Sequence, residues 1–167
     1  MYKSVKAQVR TTDGLSEPFN CPVGLKQGCL GSPIFFVIFI NELVKLYESS
    51  STHGIQLFPD TYEVKCLLFA DDLALSADTV VGLQRQLDTL KNFCDDMSVQ
   101  VNKDKTKIMV FKHGGCLSRH EKWNFDGTPI EVVKSFSYVG TTFSSNLSFS
   151  KMASEQATKG KRVLIHT

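Results

Sequence analysis

The stretch Cys66–Leu75, CLLFADDLAL in one-letter code, decides how this chain folds. Short apolar segments flank two adjacent aspartates, Asp71 and Asp72. Apolar segments on either side of turn residues are typical of a β-hairpin. The pattern therefore predicts two antiparallel strands with both acids at the tip, where water solvates the carboxylates. Phe69 is predicted to belong to the core.

Downstream of this hairpin, apolar residues recur every three or four positions with polar residues between them. That spacing predicts an amphipathic helix, capped at its start by Asp78 or Thr79. Its apolar face is predicted to consist of Leu83, Leu87, Leu90, Cys94 and Met97. Further along, the pattern predicts short strands at 99–101, 108–111 and 136–139, a hairpin around Asp126-Gly127 and a basic helix from about 150 to 165.

Upstream, alternating residues predict an opening hairpin that turns at Asp13-Gly14. The segment Gly24–Pro33, GLKQGCLGSP, predicts a glycine-spaced loop that ends in a helix start, with Ser32 as the N-cap. The helix is predicted to run to about 48. Its first turns, Ile34–Ile40, are apolar on every side, which predicts burial all round. A strand is the alternative for this run, since β-branched and aromatic residues dominate it.

Composition limits the classes of protein to which the chain can belong. It has 167 residues, 42% of them hydrophobic and 22% charged, which excludes disordered and collagen-like chains. The seven-residue run Ile34–Ile40 is too short for a membrane span, which needs about 20 residues, and no signal-peptide pattern opens the chain. Five cysteines without a CxxC spacing indicate neither a disulfide framework nor a zinc site. We expect a soluble intracellular α+β protein with an antiparallel sheet and helices packed on one face.

The net charge of +2 conceals an asymmetry along the chain. Residues 1–99 carry 8 Lys/Arg against 12 Asp/Glu, whereas residues 100–167 carry 11 against 5. A basic C-terminal third suits a polyanionic partner such as nucleic acid, and a solvated lysine-rich surface produces the same composition.

The acidic pair has two interpretations. Aspartate is a favoured turn residue, so Asp71-Asp72 can be simple turn chemistry. Alternatively, the two carboxylates hold Mg²⁺, which takes hard oxygen ligands and completes its shell with water and phosphate oxygens. Two such ions about 3.5–4 Å apart catalyse phosphoryl transfer, and bridging them normally needs a further carboxylate.

Four segments, taken in order, carry a resemblance to a known family. They are residues 24–36 (GLKQGCLGSPIFF), 68–75 (LFADDLAL), 101–111 (VNKDKTKIMVF) and 136–140 (FSYVG). Together they resemble motifs of the reverse transcriptases of non-LTR, LINE-type retrotransposons, over roughly residues 1–145. The resemblance implies a partial polymerase palm at 1–145 and the start of a helical thumb at 146–167.

The resemblance also implies roles for individual residues. Asp71 would be the principal ligand of two Mg²⁺ ions, with Mn²⁺ as a substitute, and Asp72 would assist. Gln27 and Gly28 would lie against the incoming nucleotide and its templating base. Lys105 would donate a proton to departing pyrophosphate, a general-acid role that needs reach more than a shifted pKa. Gln27-Gly28 as a plain turn, and Lys105 as a solvated lysine, are the structural alternatives.

Further along the chain, the resemblance implies nucleic-acid contacts. The partners would be an RNA template, a DNA primer and deoxynucleotides, in the nucleus or the cytoplasm. The primer-grip segment would be Tyr138, Val139 and Gly140, and the duplex phosphates would be contacted by Lys151, Lys159, Lys161 and Arg162.

Two expected features of the family are not found in the sequence. In these polymerases a strand bearing the first catalytic aspartate precedes the glutamine-glycine loop, and neither Asp13 nor Glu17 has that setting. The fingers are also not found. We therefore expect the chain to be a fragment that does not polymerise alone. A nucleic-acid-binding or inert remnant is the alternative function, and a nucleotide cyclase on a similar palm is disfavoured by the glutamine-glycine loop and the primer-grip segment.

Overall fold

The computed structural model describes residues 5–21, 24–26, 28–58, 62–112, 114, 115 and 117–165, with only the backbone at 151, 159 and 162–165. The chain divides into two compact units, Met1–Glu42 and Leu43–Thr167. The α+β class is confirmed, since helices alternate with antiparallel strand pairs. In the described residues the strands form six separate two-stranded sheets. No helix in these ranges is long and apolar enough to cross a bilayer.

The first unit opens with the predicted hairpin. Strand β1 (Lys6–Ala7) pairs with β4 (Phe19–Asn20), and β2 (Arg10–Thr11) pairs with β3 (Gly14–Leu15), all antiparallel. Because Thr11 pairs with Gly14, the two-residue turn lies at 12 and 13, one position earlier than predicted. Helix α1 (Ser32–Ser49) then confirms the helical interpretation of the apolar run.

The start of α1 differs from the predicted cap. Ser32 is the first helical residue, and the amide of Phe35 donates to the carbonyl of Gly31. The hydroxyl of Ser32 does not accept from a helix amide; it donates to the carbonyl of Lys26 at 2.7 Å. Ser32 therefore closes the preceding loop, while Gly31 occupies the capping position.

The prediction that the first turns of α1 are buried all round is wrong. Ile34, Val37 and Ile38 are 63%, 62% and 63% exposed, and Phe36 and Phe39 are half-buried. A helix that is apolar on every side becomes buried only where other elements surround it completely. Hydrophobicity determines which side chains favour burial, and the packing of neighbouring elements determines which of them are buried.

The core of the second unit lies between the end of α1 and helix α2 (Val80–Met97). Tyr47 is almost fully buried and its hydroxyl donates to the carbonyl of Gln86 at 3.0 Å. Gln86 is fully buried and its side-chain amide donates to the carbonyl of Ser76 at 2.9 Å. The apolar residues buried in this unit are Leu43, Leu87, Leu90, Phe93, Cys94, Ile108, Trp123 and Phe125.

Helix α2 confirms most of its sequence prediction. Thr79 is the N-cap, and its hydroxyl accepts from the amide of Gly82. Leu87, Leu90 and Cys94 are buried as predicted, whereas Met97 is 41% exposed. Met97 is the last helical residue, and residues 95–98 are all exposed, so the buried part of the helix ends before it.

The strands predicted at 99–101 and 108–111 are wrong. A strand exists only with a partner for its hydrogen bonds, and here Ile108 makes one isolated parallel bridge with Val132. Upstream of that bridge the backbone turns, with the amide of Thr106 donating to the carbonyl of Asn102 at 3.1 Å. The apolar pattern correctly predicted that Ile108 is buried. It wrongly predicted that the segment around Ile108 pairs along its length as a strand.

Two short hairpins and a helix follow. Strands β9 (Asn124–Phe125) and β10 (Thr128–Pro129) flank the predicted Asp126-Gly127 turn. Strands β11 (Ser135–Tyr138) and β12 (Thr141–Ser144) form the second hairpin, so residue 139 lies in the turn rather than in the predicted strand. Helix α3 (Ser150–Ile165) has the predicted bounds. The remaining strands are β5 (Ile55–Phe58), β6 (Tyr62–Val64), β7 (Cys66–Phe69) and β8 (Asp72–Leu75).

Candidate functional site

The acid hairpin, which we define as β7–β8 with its turn, presents Asp71 and Asp72 to solvent. Phe69 pairs with Asp72, so the turn consists of Ala70 and Asp71. Both carboxylates are exposed, which confirms the hairpin with acids at its tip. Ala70 has a φ of 52°, a conformation that residues other than glycine, asparagine and aspartate adopt at a cost. Phe69 is 59% exposed and so does not belong to the core.

The base of the acid hairpin is fixed to the end of α1. The ammonium of Lys65, just before β7, donates to the carbonyls of Tyr47 at 3.1 Å and Ser50 at 2.9 Å. The amide of Ser76, just after β8, donates to the carbonyl of Lys65 at 2.9 Å, and its hydroxyl donates to Val64. A lysine that donates to the last carbonyls of a helix satisfies acceptors with no partner inside the helix.

The β11–β12 hairpin lies against the acid hairpin. The hydroxyl of Tyr138 is 3.5 Å from the carbonyl of Leu67 and 3.5 Å from that of Asp72, which belong to the two strands of the acid hairpin. Burial, and secondarily the charge of Asp72, raise the pKa of Tyr138, so its hydroxyl remains a donor. The structure thus brings Tyr138 together with one of the two predicted metal ligands.

The turn of this hairpin is strained. Val139 and Gly140 have φ of 48° and 75°, the positive values that a type I′ turn requires at both positions. Such turns favour Asn-Gly, and a β-branched residue at positive φ is a genuine outlier. Val139 is nevertheless 46% exposed, so packing alone does not account for an apolar side chain there.

Helix α3 is attached to the same hairpin. Its Glu155 accepts a short hydrogen bond from the hydroxyl of Thr142, and the amide of Gln156 donates to the carbonyl of Gly140 at 3.1 Å. Sequence reasoning missed Gln156, because one glutamine in a polar helix carries no pattern that distinguishes it.

Lys105 lies in a turn with two other lysines. Lys103 pairs with Asp126 at 2.8 Å and thereby lowers the pKa of that carboxyl. Lys107 pairs with Glu131 at 2.8 Å. Among the residues that the structure describes, none forms an ion pair with the exposed Lys105. Its backbone amide donates to the side-chain oxygen of Asn102, which holds the turn.

The glycine loop belongs to the first unit and is closed by local hydrogen bonds. The amide of Cys29 donates to the carbonyl of Lys26 at 3.3 Å, alongside the bond from Ser32. Gly28 is exposed and has a φ of 78°, which suits glycine. The predicted Gln27 lies outside the described residues.

The predicted phosphate-contacting residues all lie on α3. Lys161 is exposed there, and the side chains of Lys151, Lys159 and Arg162 lie outside the part of the chain that the structure describes.

The acidic pair suits a hard cation in its chemistry. Carboxylate oxygens are the ligands that Mg²⁺ prefers, and one or two carboxylates plus phosphate oxygens and water are enough to bind it. Within the described ranges no group of three or more His, Cys, Asp or Glu residues is arranged to hold a metal ion. A metal ion held by Asp71 and Asp72 would therefore need further ligands, such as water or phosphate oxygens.

Comparison with known proteins identifies the family. A family profile described as "Reverse transcriptase (RNA-dependent DNA polymerase)" matches residues 2–143, most of the chain. The chain belongs to the reverse transcriptase family. It is similar to two Pol polyproteins of the type-1 retrotransposable element R2 from Popillia japonica, with 30% identity over 128 residues and 33% over 126. Within the family, the chain is therefore of the non-LTR type.

The matched region is a small part of those relatives. The alignments cover 73% and 72% of this chain but only 21% and 17% of the two Pol polyproteins. Members of the family generally use divalent metal ions and act on nucleic-acid template, primer and deoxynucleotides.

Proposed function

We propose that this chain is the metal-binding half of a polymerase palm, comprising residues 1–145, and the start of a thumb at 146–167. The parent reaction is addition of deoxynucleotides to a primer 3′-hydroxyl on an RNA template. The observation that carries the proposal is the acid hairpin, with Asp71 and Asp72 exposed at its tip and Tyr138 of the primer-grip segment against its backbone.

Each residue has a proposed task. Asp71 and Asp72 hold Mg²⁺, which when bound stabilises the charge that develops on the transferred phosphate. Gln27 and Gly28 lie against the incoming nucleotide. Lys105 donates a proton to departing pyrophosphate. This role is supported by the ion pairs in its turn, because Lys103 and Lys107 are each paired with a carboxylate and Lys105 is not paired with any described residue.

Val139 and Gly140 present the primer end. The strain at Val139 supports this assignment, because residues in sparsely populated backbone regions cluster at ligand clamps. An exposed apolar side chain at the tip of a rigid hairpin suits contact with the sugar of a primer terminus. Lys151, Lys159, Lys161 and Arg162 contact the duplex phosphates from α3.

Metal binding by the acidic pair is testable on the chain itself. In NMR spectra, Mn²⁺ is expected to broaden the amide signals of residues 66–75, and Asp71→Asn is expected to abolish that broadening. Asp13→Asn is the matched control, because Asp13 is an exposed hairpin-turn aspartate without an acidic neighbour. Equal broadening in the wild type and the Asp71→Asn variant would refute the proposed site.

The isolated chain is expected not to extend a primer. Phosphoryl transfer depends on positioned metals, and the described residues supply two adjacent carboxylates without a third. On poly(rA)/oligo(dT) with Mg²⁺ we expect no synthesis. Synthesis that Asp71→Asn abolishes would contradict this expectation and would leave the metal site intact.

A second candidate function is nucleic-acid binding without catalysis, which the basic composition of residues 100–167 favours. Replacing Lys159, Lys161 and Arg162 by glutamine is expected to weaken binding to an RNA–DNA hybrid. It should also lower the slope of log affinity against log salt by about 0.9 for each phosphate that the protein no longer neutralises. The matched control replaces the ion-paired Lys103 and Lys107. No retention of the wild type at low salt would eliminate this candidate.

A further inference from the structure

Two residues at the turn end of the β11–β12 hairpin make hydrogen bonds to different elements. Tyr138, at the end of β11, reaches the carbonyls of Leu67 and Asp72 in the acid hairpin. Within the turn, the carbonyl of Gly140 accepts from the side-chain amide of Gln156 in α3 at 3.1 Å. The hairpin therefore lies between the helix proposed to contact the duplex and the strands that carry the acids.

The Tyr138 hydroxyl contacts backbone carbonyls of the acid hairpin. It lies 3.5 Å, a long hydrogen-bond distance, from one carbonyl on each strand, so the two carbonyls share its single proton near the pair that closes the turn. Tyr138 is half-buried, whereas Val139 beside it is exposed. Within the primer-grip segment, these two neighbours thus face different surroundings.

We propose that Tyr138 and Gln156 are positioning residues and that the β11–β12 hairpin is a brace between α3 and the acid hairpin. The proposal rests on the proposed function, and it gives Tyr138 a different task from contact with the primer. Displacement of α3 by bound duplex would pass through Gln156 to the hairpin turn, and through Tyr138 to the strands holding Asp71 and Asp72.

The size of the effect follows from the two hydrogen bonds. Loss of a neutral hydrogen bond of ordinary net strength changes a local opening equilibrium by about two- to tenfold. Such a change is visible in amide hydrogen exchange of residues 66–75. Helix α2 is the internal reference, because neither the Tyr138 hydroxyl nor the Gln156 amide donates to a residue of that helix. The measurement of amide hydrogen exchange requires neither a bound metal ion nor catalytic activity.

Hydrogen exchange on the full chain tests the coupling. Tyr138→Phe and Gln156→Glu are each expected to raise exchange of residues 66–75 about two- to tenfold. Gln156→Glu keeps the side-chain length and removes the donor, and Gln156→Arg restores a donor and is expected to restore slow exchange. Tyr62→Phe and Thr158→Ala are the controls; the Thr158 hydroxyl bonds within α3 to Ser154. Unchanged exchange in Gln156→Glu, or equal acceleration in α2, would overturn the brace.

Mn²⁺ broadening separates positioning from mere stability. The Mn²⁺ concentration for half-maximal broadening of residues 66–75 is expected to rise about two- to tenfold in Tyr138→Phe and Gln156→Glu. Faster exchange with an unchanged Mn²⁺ response overturns the positioning role and leaves the proposed function standing. No Asp71-dependent response in the wild type means that the proposed function fails, and the positioning role fails with it.

Discussion

The strained turn at Val139 gives the sharpest test of how this structure is held. The perturbation is Val139→Asn, at a position with a φ of 48° in a turn whose geometry favours Asn-Gly. An L-residue in this region costs about 1–2 kcal/mol, and asparagine tolerates it best among residues with a side chain. The substitution also removes apolar surface, because Val139 is only 46% exposed.

A matched variant isolates the backbone contribution. Val9 is 52% exposed and does not have a positive φ, so Val9→Asn removes a similar apolar area without relieving strain. We expect Val139→Asn to have a free energy of unfolding about 1–2 kcal/mol above that of Val9→Asn. Calorimetry should show this as a Tm difference of about 2–8 °C for a chain of this length. Equal stability of the two variants would refute the argument from strain.

The same variant links stability to the proposed function. If Val139 presents an apolar surface to the primer end, the Val139→Asn chain should bind an RNA–DNA hybrid more weakly than the wild type. Fluorescence anisotropy at fixed salt measures this, with Val9→Asn as the control. Unchanged affinity would remove the primer contact from the proposal.

Three further predictions concern stability. Gly54→Ala places a Cβ 2.1 Å from the carbonyl oxygen of Val64, so backbone must shift and we expect a loss of several kcal/mol in urea unfolding; wild-type stability would show that the two segments separate freely. Lys65→Met removes both hydrogen bonds to the end of α1, and we expect the free energy of unfolding to fall by about 1–2 kcal/mol. An unchanged free energy of unfolding would mean that water replaces the ammonium. Lys112, and secondarily the amide of Ser118, lower the pKa of Glu121. Its contribution to stability is therefore complete above an unfolded pKa of about 4.3 and falls away in more acidic buffer, a pH dependence that Glu121→Gln should reduce.

Local sequence patterns correctly predicted the elements that depend only on residues close in sequence. The tip acids of the hairpin at 66–75, the Thr79 cap and the bounds of α3 all follow from turn chemistry, capping and periodicity within a few residues. The strands predicted at 99–101 and 108–111 failed because a ladder needs a second strand, and the partner of Ile108 is the single residue Val132.

Long-range geometry could not be predicted from the sequence. Ile34–Ile40 has the composition of a buried helix, yet its exposure depends on which elements surround it. Tyr138 and Asp72 are 66 residues apart, and nothing in either segment indicates that the hydroxyl of one reaches the carbonyl of the other. The candidate site residues themselves were identified by family resemblance, since the acidic pair alone is also ordinary turn chemistry.

Two lysines that differ in exposure allow chemical labelling to report separately on folding and on the proposed site. Lys65 is half-buried with its ammonium held by two carbonyls, whereas Lys105 is exposed in its turn. Acylating reagents must reach the side-chain nitrogen, so the half-buried, hydrogen-bonded Lys65 is shielded from them while the chain is folded, whereas the exposed Lys105 remains open to them. The extent of labelling at Lys65 therefore reports on the integrity of the scaffold, and labelling at Lys105 reports on what covers the proposed site. One mass spectrum thus separates a bound ligand from an unfolded chain.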